Sequence, residues 1–285
     1  MRINFYFCKY LVFYFLDLET LSSPRFKKGI MQIYFLGTGT SQGIPVIGSK
    51  HPVCKSNDTK DVRLRVSVWL TWEDNSIVID CGPDFRQQML NSGCEKLDAI
   101  IFTHEHADHT AGLDDIRPFY FQHKKNIPLY AHNRVLENIK KRFEYIFTTV
   151  DKYPGTPGVD VIEIKKNHNF VIGNTKITPI DVNHGNLSIF GFRINDFVYL
   201  TDVKSINDSE MDKIKGAKIL VVNALREEVH QTHFNLQEAL DFIHLLQPEK
   251  AYLTHISHLL GFHEEVQKRL PHNVFLAYDN LIVSI

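Results

Sequence analysis

"IIFTHEHADHTAG", residues 100–112, decides how the rest of the chain is read. An apolar run ends at Phe102, and within the next seven positions come His104, His106, Asp108 and His109. A spacing of i, i+2, i+4, i+5 follows neither one face of a helix nor one face of a strand. It does suit a loop at a strand end, where a rigid scaffold places reactive groups. Imidazole and carboxylate donors suit zinc, iron or manganese. Four such donors crowd a single open site but divide naturally between two ions.

Such a centre needs further ligands from distant sequence, and three stand in matching contexts. His184 follows "ITPIDVN", Asp202 follows "FVYLT" and His255 follows "KAYLT", each just beyond an apolar run. Alone, a histidine or aspartate at a strand end is more often a cap or a turn residue. Three in one context, with the 104–109 cluster, point to a shared metal centre. Asp80, after "SIVI", stands in a similar place, as does a simple turn aspartate before Cys81-Gly82.

Composition narrows the setting. With 285 residues, 44% hydrophobic and 23% charged, the chain can bury a large core. A net charge of −1 provides no field to gather long polyanions or an anionic membrane. Nucleic acid is therefore disfavoured as a partner and no membrane partner is expected. The four cysteines form no CxxC pair, which favours a reducing, cytoplasmic location over a disulfide framework. Residues 1–30 are aromatic and apolar but interrupted by Lys9 and Asp17, too broken to span a bilayer. They read as an N-terminal extension: a start placed too far upstream, an export segment or an accessory piece. Met31 is the expected start of a single domain over 31–285.

Apolar runs with turn-rich borders predict strands at 31–37, 66–71, 77–80, 98–102, 127–131, 160–164, 176–182, 188–194, 197–201, 218–223, 250–254 and 280–285. Helices are expected at 84–91, 112–122, 133–147, 207–214, 236–246 and 261–269. The 236–246 helix has Asn235 as its cap and Pro248 beyond its end. Two groups of strands interleaved with helices predict an α/β (α+β) fold, an αββα sandwich of two mixed sheets.

"THEHADH", His184, "LTD" at 200–202 and "LTHISH" at 253–258 together resemble the metallo-β-lactamase-fold hydrolases, over essentially all of 31–285. The resemblance implies one divalent ion on His104, His106 and His184, a second on Asp108, His109 and His255, and Asp202 bridging them. It implies Asp80 as the aspartate that orients the histidine loop. Two such ions, zinc or manganese, would lower the pKa of a bridging water from near 16 toward about 7 and so supply a hydroxide nucleophile.

Departures select the branch. β-Lactamases of this fold carry Cys or Ser where Asp202 stands, flavodiiron proteins carry Glu where His106 stands, and thioesterases of the glyoxalase II type add a C-terminal helical region. "FLGTGTSQGIPVIG" (35–48) is similar to the glycine loop of tRNase Z and of the phosphonate-pathway cyclic phosphodiesterase. The implied activity is hydrolysis of a small or cyclic phosphodiester; the alternatives are tRNA 3′-end processing and metal binding without catalysis. His233, before the 236–246 helix, matches the family's proton donor to the leaving alkoxide, against a reading of His233 or His230 as exposed helix-start residues. A separate structural zinc site of the relatives corresponds here to Ser49, His51, Cys54 and His258, with two cysteines replaced. His51, Cys54 and His258 could retain an ion, although a closed zinc site wants four firm ligands. Arg63 and Arg65 are candidates for a substrate phosphate, with solvent exposure as the plain alternative. Relatives are often dimers, so a homodimer is a further expectation.

Overall fold

The computed structural model describes residues 29–285. The N-terminal extension, apart from its last two residues, lies outside the described residues. Six strands come first: β1 (Gln32–Gly37), β2 (Ser67–Trp72), β3 (Asn75–Ile79), β4 (Ala99–Ile101), β5 (Ile127–Ala131) and β6 (Val159–Glu163). Then follow β7 (Phe170–Ile172), β8 (Thr175–His184), β9 (Leu187–Ile194), β10 (Phe197–Leu200), β11 (Ser205–Ile206), β12 (Ile219–Asn223), β13 (Lys250–Thr254) and β14 (Val274–Leu276). The last strand, β15 (Ile282–Ser284), returns to the first sheet. That sheet runs β15-β1-β2-β3-β4-β5-β6, and the second runs β11-β8-β9-β10-β12-β13-β14 with β7 on β8. Both are mixed: β3 to β6 are parallel in one and β10, β12, β13 and β14 in the other, while the remaining pairs are antiparallel.

Alternation along each strand sorts side chains to opposite faces and so builds the layers. In β12, Ile219 and Val221 face the other sheet, where they join Phe35, Leu70, Ile79, Phe192 and Tyr199. Leu220 and Val222 face outward against Leu236, Ala239 and Ile243 of the helix Leu236–Leu246. On the other side, Ile100 and Leu129 meet Phe85 and Met89 of the helix Phe85–Ser92 and Val135 and Ile139 of Asn133–Arg142. The result is the expected αββα sandwich. The 236–246 helix is found with its expected bounds, closed by a capping box between Asn235 and Glu238.

Several expected helices are shorter or broken. The one expected at 112–122 is a 3-10 turn, Leu113–Ile116, followed by a new helix, Arg117–His123. Pro118 has no N–H to continue a preceding helix, so it sits in a first turn instead. The 133–147 stretch breaks at Phe143, whose ψ of 40° leaves the helical region. Residues 261–269 cannot form one helix because Gly261 has φ +112°, and the helix there is His263–Gln267. The strands Phe170–Ile172 and Val274–Leu276 are three-residue pieces below the length at which alternation becomes legible. Among the described residues no helix is long and apolar enough to cross a membrane.

Candidate metal centre

The strand ends meet at one edge of the sandwich. β3 delivers Asp80; β4 delivers the short segment 103–106 and then the helical turn Ala107–Thr110, which carries Asp108 and His109 where a loop was expected; β8 ends in His184, β10 delivers Asp202 and β13 delivers His255. Asp80, Asp202 and His255 all have left-handed backbones, with φ of +65°, +58° and +53°. That conformation costs a non-glycine residue about 1–3 kcal/mol and persists only where surrounding contacts enforce it. It turns each chain sharply out of its strand and toward the shared edge.

The donors fall into groups whose ligand atoms lie within 4.8 Å of one another: His104, His106 and His184; Asp108, His109, Asp202 and His255; and His184, Asp202 and His233. Asp202 lies between the first two. Its Oδ1 is 3.5 Å from His109 Nε2 and 3.2 Å from His255 Nε2. Its Oδ2 is 3.9 Å from the Nε2 atoms of both His104 and His184. His233 Nε2 is 3.2 Å from the same Oδ2, and His233 Nδ1 lies 2.9 Å from Thr232 Oγ1 and 3.1 Å from His230 Nδ1.

Hydrogen bonds behind the histidines select their tautomers. His184 Nδ1 can only donate to the Thr232 carbonyl, at 2.8 Å, which leaves the Nε2 lone pair facing the centre. His109 Nδ1 donates to Asp80 Oδ2 at 2.7 Å, with the same consequence. The Thr103 hydroxyl donates to Asp80 Oδ2 at 2.8 Å and so accepts from His104 Nδ1 at 3.0 Å. Asp80 therefore braces the loop directly at His109 and through Thr103 at His104, and its Oδ1 also takes the Thr103 N–H at 2.8 Å. Burial raises the Asp80 pKa against the opposing pull of His109 and Thr103. The loop is pinned from below as well, since a Cβ on Gly82 would collide with the Asp108 carbonyl.

Electrostatics divide the centre. Burial and the neighbouring His109 push His104 well below the usual imidazole range, and burial and His184 lower His106. Both are thus held neutral, the form that binds metal. Burial also acts against charge on His109, but Asp108, Asp202 and Asp80 outweigh it and raise its pKa, so a cation taking the Nε2 lone pair would displace a proton there. For Asp202 burial is outweighed by His255 and His109, so its carboxylate stays ionised. His233 is lowered to about 4, by burial above all, with Asp202 opposing.

The residues fit divalent ions. His109 Nε2 and both ring nitrogens of His255 are buried without any hydrogen bond, although carboxylate oxygens lie nearby. A buried polar atom without a partner costs about 1–3 kcal/mol. Cations between the Nε2 atoms of His109 and His255 and the carboxylates would satisfy both Nε2 atoms; His255 Nδ1, on the far side of its ring, is not served by them.

The other sequence candidates are placed differently. His51 and His258 have their rings 5.0 Å apart, edge to face. His51 Nδ1 accepts from Val53 N–H at 3.4 Å and Cys54 Sγ from Val46 N–H at 3.4 Å. Together with Cys54 they do not form one of the gathered donor groups found among the described residues. Arg63 corrects both expectations for it, contact with a substrate phosphate and solvent exposure. It is 3% exposed, and its Nη1 donates to Thr38 Oγ1 at 2.7 Å while Nη2 lies 3.1 Å from His263 Nδ1. Buried among Thr38, Ala277, His263 and Asp279, it holds the glycine loop to the C-terminal strands instead of reaching outward. Arg65 is partly exposed, its Nε 3.2 Å from Asp84 Oδ2. Its backbone bridges Gly39, which also bridges Ile256 beside His255.

Sequence reasoning missed Thr103, Thr232 and Glu105. Glu105 forms a two-point ion pair with Arg134, at 2.8 and 3.1 Å, and Arg134 also donates to the Ser188 carbonyl at 2.7 Å, tying the metal loop to the β8–β9 hairpin. Their partners are far apart in sequence, and no local pattern announces them.

A family model for the beta-lactamase superfamily domain matches residues 75–256. A crystal structure of a diphosphatase from the PhnP family superposes with a TM-score of 0.84 at 38% identity, covering 90% of this chain and 97% of that one. The octanoyltransferase of Porphyromonas gingivalis (strain ATCC BAA-308 / W83) is 37% identical over 253 residues, 88% of this chain and 51% of that protein. The chain thus spans about half the length of that relative. Human short-form tRNase Z superposes with a TM-score of 0.64 at 21% identity, over 88% of this chain and 98% of that one, a likeness of fold alone. With the αββα sandwich, the donor groups at its edge and the matched family model, the chain belongs to the metallo-β-lactamase-fold superfamily, in its PhnP-like branch.

Proposed function

We propose that this hydrolase cleaves a small or cyclic phosphodiester at a centre of two divalent ions, zinc or manganese. The observation that carries the reading is Asp202, whose two oxygens face two different histidine groups. In this reading His104, His106 and His184 hold one ion, Asp108, His109 and His255 the other, and Asp202 serves both. Ions held there would supply Lewis-acid charge for the phosphoryl oxygens and a water activated at neutral pH.

The chain's own groups do the rest. Asp80 and the Thr232 carbonyl keep the histidine lone pairs aimed inward. His233 is the group placed to donate a proton to the leaving alkoxide, which requires that the charge of the bound phosphodiester offset the burial that lowers its pKa; a positioned general acid contributes about 10²–10⁴-fold. Thr232 and His230 orient its ring from behind. Arg65, at the rim, offers its terminal amino groups to a phosphoryl oxygen. The similarity to a PhnP-family diphosphatase supports chemistry at phosphorus. The net charge of −1 weighs against a long nucleic-acid substrate.

The test is the initial rate of bis-p-nitrophenyl phosphate hydrolysis by the metal-loaded protein beside Asp108→Ala. Turnover that collapses in the variant supports the reading. No turnover with two ions bound overturns it; cleavage of precursor tRNA in its place would establish the processing activity.

A further inference from the structure

Asn223 closes β12 at the end of "ILVVN", a strand buried throughout, and is itself 0% exposed. A carboxamide at such depth needs partners for both ends. It gives both to a single residue. Oδ1 accepts from the Val203 N–H at 2.6 Å, and Nδ2 donates to the Val203 carbonyl at 3.1 Å. This is the pair of bonds a neighbouring strand would make. β10 pairs with β12 as far as Leu200, opposite Val222, and then leaves the sheet. The Asn223 side chain takes over as a surrogate strand residue and grips the chain again three positions on.

Between Leu200 and Val203 lies Asp202, held at φ +58°. A left-handed aspartate relaxes unless the chain is fixed on both sides. β10 fixes one side and Asn223 the other. The Val203 carbonyl also accepts the Phe234 N–H at 2.6 Å, and Lys204 N–H donates to the Asn183 carbonyl at 2.7 Å. One peptide node thereby registers Asp202, His233 (next to Phe234) and His184 (next to Asn183) against each other.

We infer that Asn223 is a positioning residue: it fixes the turn that sets the Asp202 carboxylate across the two ion sites, and so couples the occupancy of one to the other. The inference rests on the reading of Asp202 as the shared ligand. Asn223 touches no ion and no substrate; it acts through the backbone.

The deciding variant is Asn223→Asp, which keeps the shape and the acceptor and puts a carboxylate oxygen where Nδ2 donates to the Val203 carbonyl; Asn223→Leu, similar in volume and without either bond, controls for the buried charge that Asp adds. Asn223→Ala removes both bonds. Stepwise zinc affinities are measured by chelator competition, with bound zinc counted by elemental analysis, at a temperature where circular dichroism shows each protein folded. The expected result is a loss of about 10–100-fold in affinity for the more weakly held ion, the range for removing a group that supports a ligand. The expected kinetic signature is a fall in kcat with little change in KM, reversed by excess zinc, which a general loss of fold would not show. A folded Asn223→Asp that binds both ions as the wild type does overturns the inference. Asp202→Ala run in parallel separates the two readings. If it too keeps both ions, the shared-ligand assignment fails; if it loses one while Asn223→Asp keeps both, only the role of Asn223 fails.

Discussion

Replacing Asp80 with alanine removes a carboxylate that accepts three buried hydrogen bonds: from the Thr103 N–H at 2.8 Å, the Thr103 hydroxyl at 2.8 Å and His109 Nδ1 at 2.7 Å. All the groups concerned are buried, with Asp80 and His109 at 0% exposure and Thr103 at 1%, so water does not replace the carboxylate without rearrangement. Each orphaned donor costs about 1–3 kcal/mol. The Thr103 hydroxyl can rotate to relieve its share, and loss of the desolvated charge gives some energy back, because burial raises the Asp80 pKa. The expected destabilisation of the ion-free protein is therefore about 3–5 kcal/mol, a large part of the ~5–15 kcal/mol that holds a typical domain. Urea unfolding of wild type and variant, after dialysis against a chelator, measures it. His109 also loses the partner that fixes its tautomer, so zinc affinity should fall about 10–100-fold as well. A variant less than about 1 kcal/mol weaker than wild type by the orphaned-donor count, or one with unchanged zinc affinity, would refute the assignment of Asp80 as the brace of the histidine loop.

Asp279 provides a pH test away from the centre. It accepts from the Thr38 hydroxyl at 2.7 Å and Leu64 N–H at 2.6 Å, and burial raises its pKa to about 6, with these bonds and Arg63 opposing. A raised folded pKa means that the protonated form's contribution is complete below the unfolded value of 3.8 and is lost as pH rises through about 6. Asp279→Asn does not titrate, so its stability relative to wild type should climb by up to about 3 kcal/mol between about pH 4 and 7, from about two pKa units at 1.36 kcal/mol each. A flat difference in urea unfolding across that range contradicts the placement. For the metals, elemental analysis should find two zinc ions per chain, unchanged in Cys54→Ser, because His51, Cys54 and His258 are not gathered; a third ion lost in that variant would show otherwise.

The sequence by itself determined the strand-borne gathering of histidine and aspartate donors and the layering. The HxHxDH run needed no partner to be legible, because four donors within six positions of one loop exceed what a surface needs. His184, Asp202 and His255 were readable for a related reason: each breaks an apolar run at its end, and a strand end is local information. The 236–246 helix was legible because its cap, its apolar face and the proline beyond it lie within one short window.

What only the tertiary structure decided depends on contacts between distant segments. Arg63 and Arg65 alternate along the same short stretch, yet one is buried against the C-terminal segments and the other is partly exposed beside Asp84. Nothing within five residues of either distinguishes them; His263 and Ala277, 200 and 214 positions away from Arg63, do. Asn223 reads in the sequence as a polar end to an apolar strand, and its meaning appears only where β10 departs and leaves Val203 to be held. The donors were written in the sequence because chemistry is carried by residue type. Their aim was not, because lone pairs and backbone turns are set by hydrogen bonds between elements that meet only when the two sheets close.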